Sequence, residues 1–300
     1  IDDGRIAAIE PNSVVSTDHF ILPGFVDSHV HVESSLLVPS EFARLAVRHG
    51  TVATVSDPHE IANVCGMEGV QFMLENAAKT PFNFYFGAPS CVPATSFETA
   101  GAKITLSDIR QLFQDDRIVY LSEMMNWPGV LAKDPEVLAK IAAAHEMGRV
   151  VDGHAPGLRG QQVIEYASHG ISTDHECFTI EEGRDKLEAG MKVQIREGSA
   201  ARNYDALHPL IAEAPDRIMF CCDDTHPDLL ETQHIDNHVR RSIELGYNLF
   251  DVLRIASLNP IQHYKLDVGL LRPGDSADFI LVDNLTDFNV HQTIINGIKV

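Results

Sequence analysis

Strand-like and helix-like segments alternate along most of this chain of 300 residues. Eight strand-like runs are each followed by a segment that favours a helix. The predicted strands are Phe25–His31, Thr51–Ser56, Phe82–Gly87, Arg117–Glu123, Arg149–Gly153, Ile171–Asp174, Met191–Ile195 and Arg217–Cys222. This alternation predicts a parallel sheet, and eight units predict a closed (β/α)8 TIM-like barrel of the α/β class. A doubly wound open sheet is the alternative, although the GxGxxG motif of dinucleotide binders is absent.

The two ends of the chain show a different pattern. Residues 3–9 predict a hairpin turn and a short strand, and residues 267–300 predict a strand, a turn and a second strand. We therefore expect residues 1–21 and 267–300 to form a small, incomplete β-sandwich beside a barrel of residues 22–266. Because the chain begins at Ile1 inside a strand-like segment, we also expect it to be a piece of a longer protein.

A His-x-His pair ends the first predicted barrel strand. Side chains alternate between the two faces of a strand, so His29 and His31 point the same way. Two imidazoles held on one rigid face form half of a metal site. The alternative for this pair alone is a chance repeat on a solvated strand.

Ligand-type residues also follow the other predicted strands. In a barrel of this class the carboxyl ends of all the strands meet at one face, where the chemistry lies. Histidine is a poor helix cap and is costly to bury unpaired, so helix capping does not explain this distribution. The residues at these ends favour a metal site and are Asp57, His59 and Glu60 after the second strand, Glu123 at the fourth, His154 at the fifth, His175 and Glu176 at the sixth, and Asp223 and Asp224 at the eighth.

Composition excludes several classes of partner. The formal net charge is −20, which argues against nucleic acid and anionic membrane surfaces, because both attract Lys and Arg. No apolar run approaches the ~20 residues that a membrane span requires. The five cysteines show no CxxC spacing, and an odd, scattered set predicts reduced thiols in the cytoplasm.

With these residues in view, the chain resembles the amidohydrolase superfamily. Residues 23–31 (PGFVDSHVH) are similar to its opening signature, and residues 271–278 (LRPGDSAD) to the return into its sandwich domain. Five stretches resemble the adenine deaminase family within it: 56–64 (SDPHEIANV), 89–95 (PSCVPAT), 122–126 (SEMMN), 152–157 (DGHAPG) and 223–227 (DDTHP). That family carries further sandwich before Ile1 and a C-terminal domain after Val300, so the resemblance implies that this chain is a fragment.

The resemblance implies a site for two divalent metal ions. His29, His31 and Asp223 are expected to hold one ion, and His154 and His175 the other. Many members of the superfamily bridge the ions with a lysine at the end of strand four, but this chain has Glu123 there and no lysine before Lys133. Glu123 is therefore expected to be the bridge. Nitrogen and oxygen donors suit Mn²⁺, Fe²⁺ or Zn²⁺.

The same resemblance implies a metal-dependent aminohydrolase that converts adenine to hypoxanthine and ammonia. Asp223 is expected to move the proton and Glu123 to act with it at the metals, because two metals generate a hydroxide near neutral pH. A purine base is the expected small-molecule partner, and the enzyme is expected to be a homodimer. The expected substrate-binding residues are Asp57, His59, Ser90, Asp224 and His226.

Two alternatives to this function stay open at this stage. One is a different reaction of the superfamily, on a cyclic amide or another aminopurine; the missing strand-four lysine argues against the cyclic amide. The other is a non-catalytic module for assembly. Such modules lose metal ligands, whereas this chain keeps all six.

Overall fold

The computed structural model describes residues 1–12, 17, 19–95 and 97–300. Its strands are β1 (Phe20–Pro23), β2 (Phe25–His31), β3 (Thr51–Ser56), β4 (Asn83–Ala88), β5 (Ile118–Met124), β6 (Val150–Gly153), β7 (Thr173–Asp174), β8 (Lys192–Arg196), β9 (Ile218–Cys221), β10 (Asp223–Asp224), β11 (Phe279–Val282), β12 (Val290–Ile295) and β13 (Ile298–Lys299). Each of the eight strands predicted from the sequence overlaps one of the strands β2 to β9.

Helices connect these strands in the order that the sequence pattern predicts. They are α1 (Pro39–Ala46), α2 (His59–Ala77), α3 (Leu106–Leu112), α4 (Trp127–Leu131), α5 (Pro135–Glu146), α6 (Gln161–Ser168), α7 (Ile180–Glu188), α8 (Tyr204–Leu207), α9 (Leu210–Glu213), α10 (Pro227–Thr232), α11 (Ile235–Glu244), α12 (Leu249–Leu253) and α13 (Asn259–Tyr264). Several starts are capped by side chains. Asp134, for example, accepts hydrogen bonds from the N–H groups of Glu136 and Val137 at the start of α5.

The strands of the main body are parallel and pair in chain order. β2 to β6 form consecutive parallel pairs, and β7, β8 and β9 form a second run. A single parallel bridge between Val151 and Ile171 joins the two runs, and β10, one residue beyond β9, pairs with β2. This arrangement is a TIM-like α/β fold, and it brings the carboxyl ends of the strands to one face.

Apolar side chains on the strands and on the inner faces of the helices form the core. Every residue of β2 and β3 is buried. Close approach of neighbouring strands requires glycine at some positions: a Cβ atom on Gly87 would lie 2.2 Å from Ser122 Oγ. Burying each large side chain, such as Phe42 or Phe86, contributes about 1.5–3 kcal/mol to stability, and this packing fixes the strand ends.

The chain ends meet in a four-stranded antiparallel sheet of order β1-β11-β12-β13. It contacts the main body through the Thr293 hydroxyl, which donates a hydrogen bond of 2.6 Å to the carbonyl of Val47. The turn predicted at residues 3–4 is present, but the strand predicted after it is wrong, because Arg5 forms only isolated bridges and residues 6–12 lie in no strand. The two-layer sandwich is not confirmed. The division into residues 1–21, 22–266 and 267–300 stays a prediction. Among the described helices, none combines the length and the apolar character that crossing a membrane requires.

Candidate metal centre and active site

Six side chains from five different strand ends converge at the carboxyl face of the parallel sheet. His29 and His31 lie on β2, Glu123 on β5, and Asp223 on β10. His154 directly follows β6, and His175 directly follows β7. All are buried except His154, which is half-buried. We call these six residues the rim cluster.

One half of the rim cluster consists of His29, His31 and Asp223. The Nε2 atoms of the two imidazoles lie 3.2 Å apart. Asp223 Oδ1 lies 3.1 Å from Nε2 of His31 and 3.5 Å from Nε2 of His29. Asp223 has a φ of +58°, in the left-handed region. Such a conformation is uncommon outside glycine, costs of order 1 kcal/mol, and persists where the surrounding structure fixes it.

The other half is arranged around the Glu123 carboxylate. Its Oε2 atom lies 2.6 Å from Nδ1 of His154 and 3.1 Å from Nε2 of His175. Its Oε1 atom lies 3.5 Å from Nε2 of His31. The two oxygens of one carboxylate thus face both halves of the cluster.

The hydrogen bond between His31 and a backbone carbonyl leaves the other ring nitrogen of His31 available to a cation. Nδ1 of His31 lies 3.0 Å from the carbonyl of Asp57, and a carbonyl only accepts, so Nδ1 carries the proton. In the neutral ring Nε2 is then a bare lone pair that faces Nε2 of His29 and the carboxylate of Asp223. Buried lone pairs repel unless a positive charge lies between them. Metal-binding imidazoles characteristically donate their other N–H to a carbonyl in this way.

The pKa shifts of the rim cluster also indicate that its carboxylates are ionised and attract positive charge. Burial raises the pKa of Glu123, but the His154 and His175 imidazoles outweigh it and hold that pKa well below its ordinary value. Burial lowers the pKa of His31, but the carboxylates of Asp223 and Glu123 raise it well above its ordinary value. Burial also lowers the pKa of His154, and Glu123 raises it to about 9. The carboxylates therefore stay ionised and hold cations close to them.

A cavity of about 320 Å³ opens above the rim cluster. Beyond His31, Glu123, His154 and Asp223, it is lined by His59, Glu60, Met125, Glu176, Phe178, Arg196, Ala201 and Asp224. Nη1 of Arg196 pairs with both Glu176 and Asp223, so the one guanidinium in this lining is already engaged by carboxylates. The free polar surface of the cavity is mainly acidic.

Arg196 is a site residue that the sequence analysis missed. It is the last residue of β8, one position beyond the predicted strand Met191–Ile195. Its position at a strand end was the available signal. Glu176 was noted at a strand end but given no role.

The five predicted substrate-binding residues are placed differently. His59 and Asp224 line the cavity, and Asp57 lies beneath it with Oδ2 3.1 Å from Nδ1 of His59. Oδ1 of Asp224 accepts a hydrogen bond of 2.5 Å from the Ser34 hydroxyl and does not contact the imidazoles in any of the described contacts. His226 is exposed, and its N–H donates to the Ser199 hydroxyl.

Ser90, the fifth of these residues, lies at a second and larger cavity of about 530 Å³. Cys91, Val92 and Pro93 line that cavity too, and the two linings share no described residue. The Ser90 hydroxyl donates a 2.6 Å hydrogen bond to the carbonyl of Glu123. Ser90 therefore contacts the backbone, and not the carboxylate, of a rim residue.

Asp27 connects the rim cluster to the sheet below. Its Oδ1 atom accepts hydrogen bonds from the N–H groups of His29 (3.2 Å) and Cys222 (3.1 Å). Its Oδ2 atom lies 2.9 Å from Nε2 of the buried His234. Asp27 thus fixes the backbone beside two rim residues, His29 and Asp223, at once.

Comparison with known proteins reveals close relatives in sequence. Curated adenine deaminases from Sulfurovum sp. and from Salinibacter ruber are each 61% identical to this chain over 297 residues. One from Methanosarcina mazei is 55% identical over 298 residues. Each match covers 99% of this chain but only 54–56% of the relative, so the chain spans about half the length of these curated relatives.

Solved structures with the same fold are more distant in sequence. A beta-aspartyl dipeptidase from Fervidobacterium islandicum superimposes with a TM-score of 0.70 at 18% identity, covering 99% of this chain and 90% of that one. An N-acetyl-D-glucosamine-6-phosphate deacetylase from Mycobacterium smegmatis gives a TM-score of 0.71 at 17% identity, with coverage of 100% and 93%. These likenesses support the fold alone. The model of the amidohydrolase family matches residues 20–300, and the chain therefore belongs to the amidohydrolase family.

Proposed function

We propose that the protein is an adenine deaminase, which hydrolyses adenine to hypoxanthine and ammonia. The observation that carries this proposal is the convergence of the rim cluster beneath a cavity, in a chain 61% identical to curated adenine deaminases. Because the chain covers about half of those relatives, their activity enters here as a proposal.

The rim cluster is proposed to hold two divalent ions. His29, His31 and Asp223 would hold one ion, His154 and His175 would hold the other, and Glu123 would contact both. Nitrogen and oxygen donors suit Mn²⁺, Fe²⁺ and Zn²⁺ alike. When bound, such ions lower the pKa of water from 15.7 to about 7 and so supply a nucleophile near neutral pH.

Asp223 is the proposed proton carrier. Burial raises its pKa, but His29 and His31 outweigh this and hold the pKa well below its ordinary value, so the carboxylate is ionised and able to accept a proton. Arg196 holds one carboxylate oxygen and leaves Oδ1 towards the imidazoles. Asp223 takes a proton from the attacking water and delivers it to the amine on C6. The C–N bond then breaks, and adenine plus water becomes hypoxanthine plus ammonia.

Residues around the cavity are proposed to orient the purine. His59 and Asp224 contact the base directly, because both line the cavity. Asp57 acts through His59, whose ring it holds. Ser90 supports the backbone of Glu123, and His226 acts at the outer edge of the mouth.

We propose the remaining features from the sequence and the family. The parallel strands of residues 22–266 form a complete (β/α)8 barrel, and residues 1–21 and 267–300 form part of a sandwich. The protein is a cytoplasmic homodimer. Its five cysteines are all free, and four of them are buried, which suits a reducing compartment.

Ammonia release from a panel of substrates tests the proposed activity. The protein is depleted of metal, reconstituted with Mn²⁺, Fe²⁺ or Zn²⁺ in parallel, and assayed with adenine, other aminopurines and dihydroorotate. We expect adenine to be the preferred substrate and the metal-free protein to be inactive. Preferred hydrolysis of dihydroorotate contradicts the proposal in favour of a cyclic amidase, and metal binding without turnover of any substrate contradicts it in favour of a binding module.

A further inference from the structure

A group of buried charges lies directly behind His154 and His175. Asp174 and Lys186 are 0% exposed, and Glu182 is 3% exposed. Nζ of Lys186 lies 3.0 Å from Oδ1 of Asp174, 3.1 Å from Oε1 of Glu182 and 2.7 Å from the carbonyl of Ala155. We call Asp174, Glu182 and Lys186 the Lys186 cluster. The one ammonium group pairs with both carboxylates, and all three side chains are buried from solvent.

The Lys186 cluster holds the loop that carries His154. The N–H of Ala155 donates a 2.8 Å hydrogen bond to Oδ2 of Asp174, and the carbonyl of Ala155 accepts from Lys186. The N–H of Gly157 donates a 2.7 Å hydrogen bond to Oε1 of Glu182. The backbone immediately after His154 is thus attached to all three members of the cluster.

The same cluster holds the loop that follows His175. The N–H of Glu176 donates a 2.7 Å hydrogen bond to Oδ1 of Asp174. The N–H of Phe178 donates a 3.0 Å hydrogen bond to Oε2 of Glu182. Glu176 and Phe178 both line the cavity, so this attachment also shapes its wall.

These attachments occur where the parallel sheet is least continuous. β7 has two residues, and β6 and β7 are joined by the single bridge between Val151 and Ile171. The N–H of Gly153, just before His154, donates a 3.3 Å hydrogen bond to the Thr173 hydroxyl, which is a side-chain contact across this seam. A backbone ladder therefore does not fix the spacing of His154 and His175 across this seam. The Lys186 cluster supplies the missing cross-connection.

We propose that Lys186 is a positioning residue that sets the spacing between His154 and His175 and thereby the affinity of the protein for one of its two metal ions. This inference rests on the two-ion site of the proposed function. The ion held by His29, His31 and Asp223 depends on β2 and β10, which pair directly with each other. Loss of Lys186 is therefore expected to weaken the binding of the ion near His154 and His175 and to leave the binding of the other ion unchanged. Outer partners of metal ligands typically change metal affinity ~10–100-fold.

Isothermal titration calorimetry, in which Mn²⁺ is added to the metal-depleted protein, tests this inference. Wild type is expected to bind two ions per chain. Lys186→Met keeps the length of the side chain without its charge, and we expect one ion to bind with unchanged affinity and the second about 10–100-fold more weakly. Leu187→Ala is the matched control, because it removes buried packing from the same helix, α7, without a hydrogen bond to either loop. It is expected to bind both ions as wild type does.

A second variant keeps the test decisive if Lys186→Met does not fold. Glu182→Gln leaves Lys186 and Asp174 as a balanced pair and removes one of the acceptors that hold Gly157 and Phe178. Selective weakening of one ion in Glu182→Gln supports the inference. Wild-type affinity for both ions in the variants that fold, or equal weakening of both ions, overturns it. If wild type itself binds fewer than two ions, the two-ion site of the proposed function fails, and this inference fails with it.

Discussion

The rim cluster and the Lys186 cluster are neighbours built from the same kinds of residue, yet they handle charge in opposite ways. In the Lys186 cluster a cationic side chain lies between two carboxylates, and backbone N–H groups occupy the remaining oxygens. In the rim cluster imidazole lone pairs and carboxylates face one another, and the compensating charge has to come from protons or metal ions.

The difference separates binding from support. A buried charge that lacks a partner is costly, and a chain keeps such an arrangement only where a ligand completes it. A buried charge that is fully paired adds little net stability but fixes the groups around it. We therefore expect the rim cluster to respond to added metal and the Lys186 cluster to hold the rim cluster in place.

The largest expected effect follows from neutralising a rim carboxylate. Asp223→Asn keeps the shape of the side chain and one oxygen, so most of the metal stays bound, but the proton carrier is lost. Acid–base groups of this kind contribute about 10²–10⁴-fold to the rate. We expect the kcat for adenine to fall by that factor, measured together with the metal content of the variant. Near-normal turnover in the Asn variant contradicts the assignment of Asp223.

Metal removal should change stability through the rim cluster alone. A ligand present at 1,000 times its dissociation constant stabilises the folded state by about 4 kcal/mol. We expect Mn²⁺ at that excess over both proposed sites to raise the free energy of unfolding by about that amount for each bound ion, as measured by urea denaturation with and without chelator. Leu187→Ala should be less stable than wild type but should keep the full metal increment. If Mn²⁺ stabilises Glu123→Gln as much as it stabilises wild type, the metal binds elsewhere.

The rim cluster could be predicted from the sequence because strand ends impose its geometry. Alternation along β2 places His29 and His31 on one face, and parallel strands bring Glu123, His154 and Asp223 to the same edge. No long-range information beyond the order of strands and helices was needed. The resemblance to a family then assigned the roles of the six side chains.

The Lys186 cluster could not be predicted in this way. The sequence of α7, IEEGRDKLE, resembles a solvated helix in which Glu182 and Lys186 form an ordinary surface pair at i, i+4. Burial of this pair depends on the short β7 and on the loop after β6, which together leave room for charged side chains. Periodicity describes single elements and does not show such a gap between two of them.

His238 on α11 is a third kind of buried polar group. It belongs neither to a proposed ligand site nor to an ion pair. Its ring lies 5.0 Å from that of Phe220, and neither of its nitrogens has a hydrogen-bond partner among the described residues. Burial lowers its pKa to about 4. The imidazole is therefore neutral in the folded protein, and no carboxylate among the described residues holds it, unlike the imidazoles of His31 and His154.

The free energy of unfolding should fall as the pH is lowered, because His238 binds a proton more readily in the unfolded state. In the unfolded state His238 has a pKa near 6.5 and is protonated below that pH. In the folded state its pKa is about 4, so between these two values only the unfolded state binds the proton. Stability from this residue is complete above pH 6.5 and decreases by about 2 kcal/mol between pH 7 and pH 5. We expect His238→Phe to remove that part of the pH dependence in urea denaturation. An identical pH dependence in wild type and variant shows that other groups cause the loss.

The smallest expected effect tests whether Asp224 belongs to the rim cluster. Asp224 is adjacent to Asp223 in sequence, but its carboxylate accepts from Ser34 and lines the cavity, so Asp224→Asn should leave both metal ions bound. Loss of one hydrogen bond of ordinary strength changes binding by up to about tenfold. We expect the KM for adenine to rise within that limit while kcat stays near wild type, in contrast to Asp223→Asn. A large fall in kcat with loss of metal in the Asp224 variant would reverse the roles of the two aspartates. The ion at His29 and His31 would then take its carboxylate ligand from Asp224, whose Oδ1 atom in the present geometry accepts a hydrogen bond from Ser34.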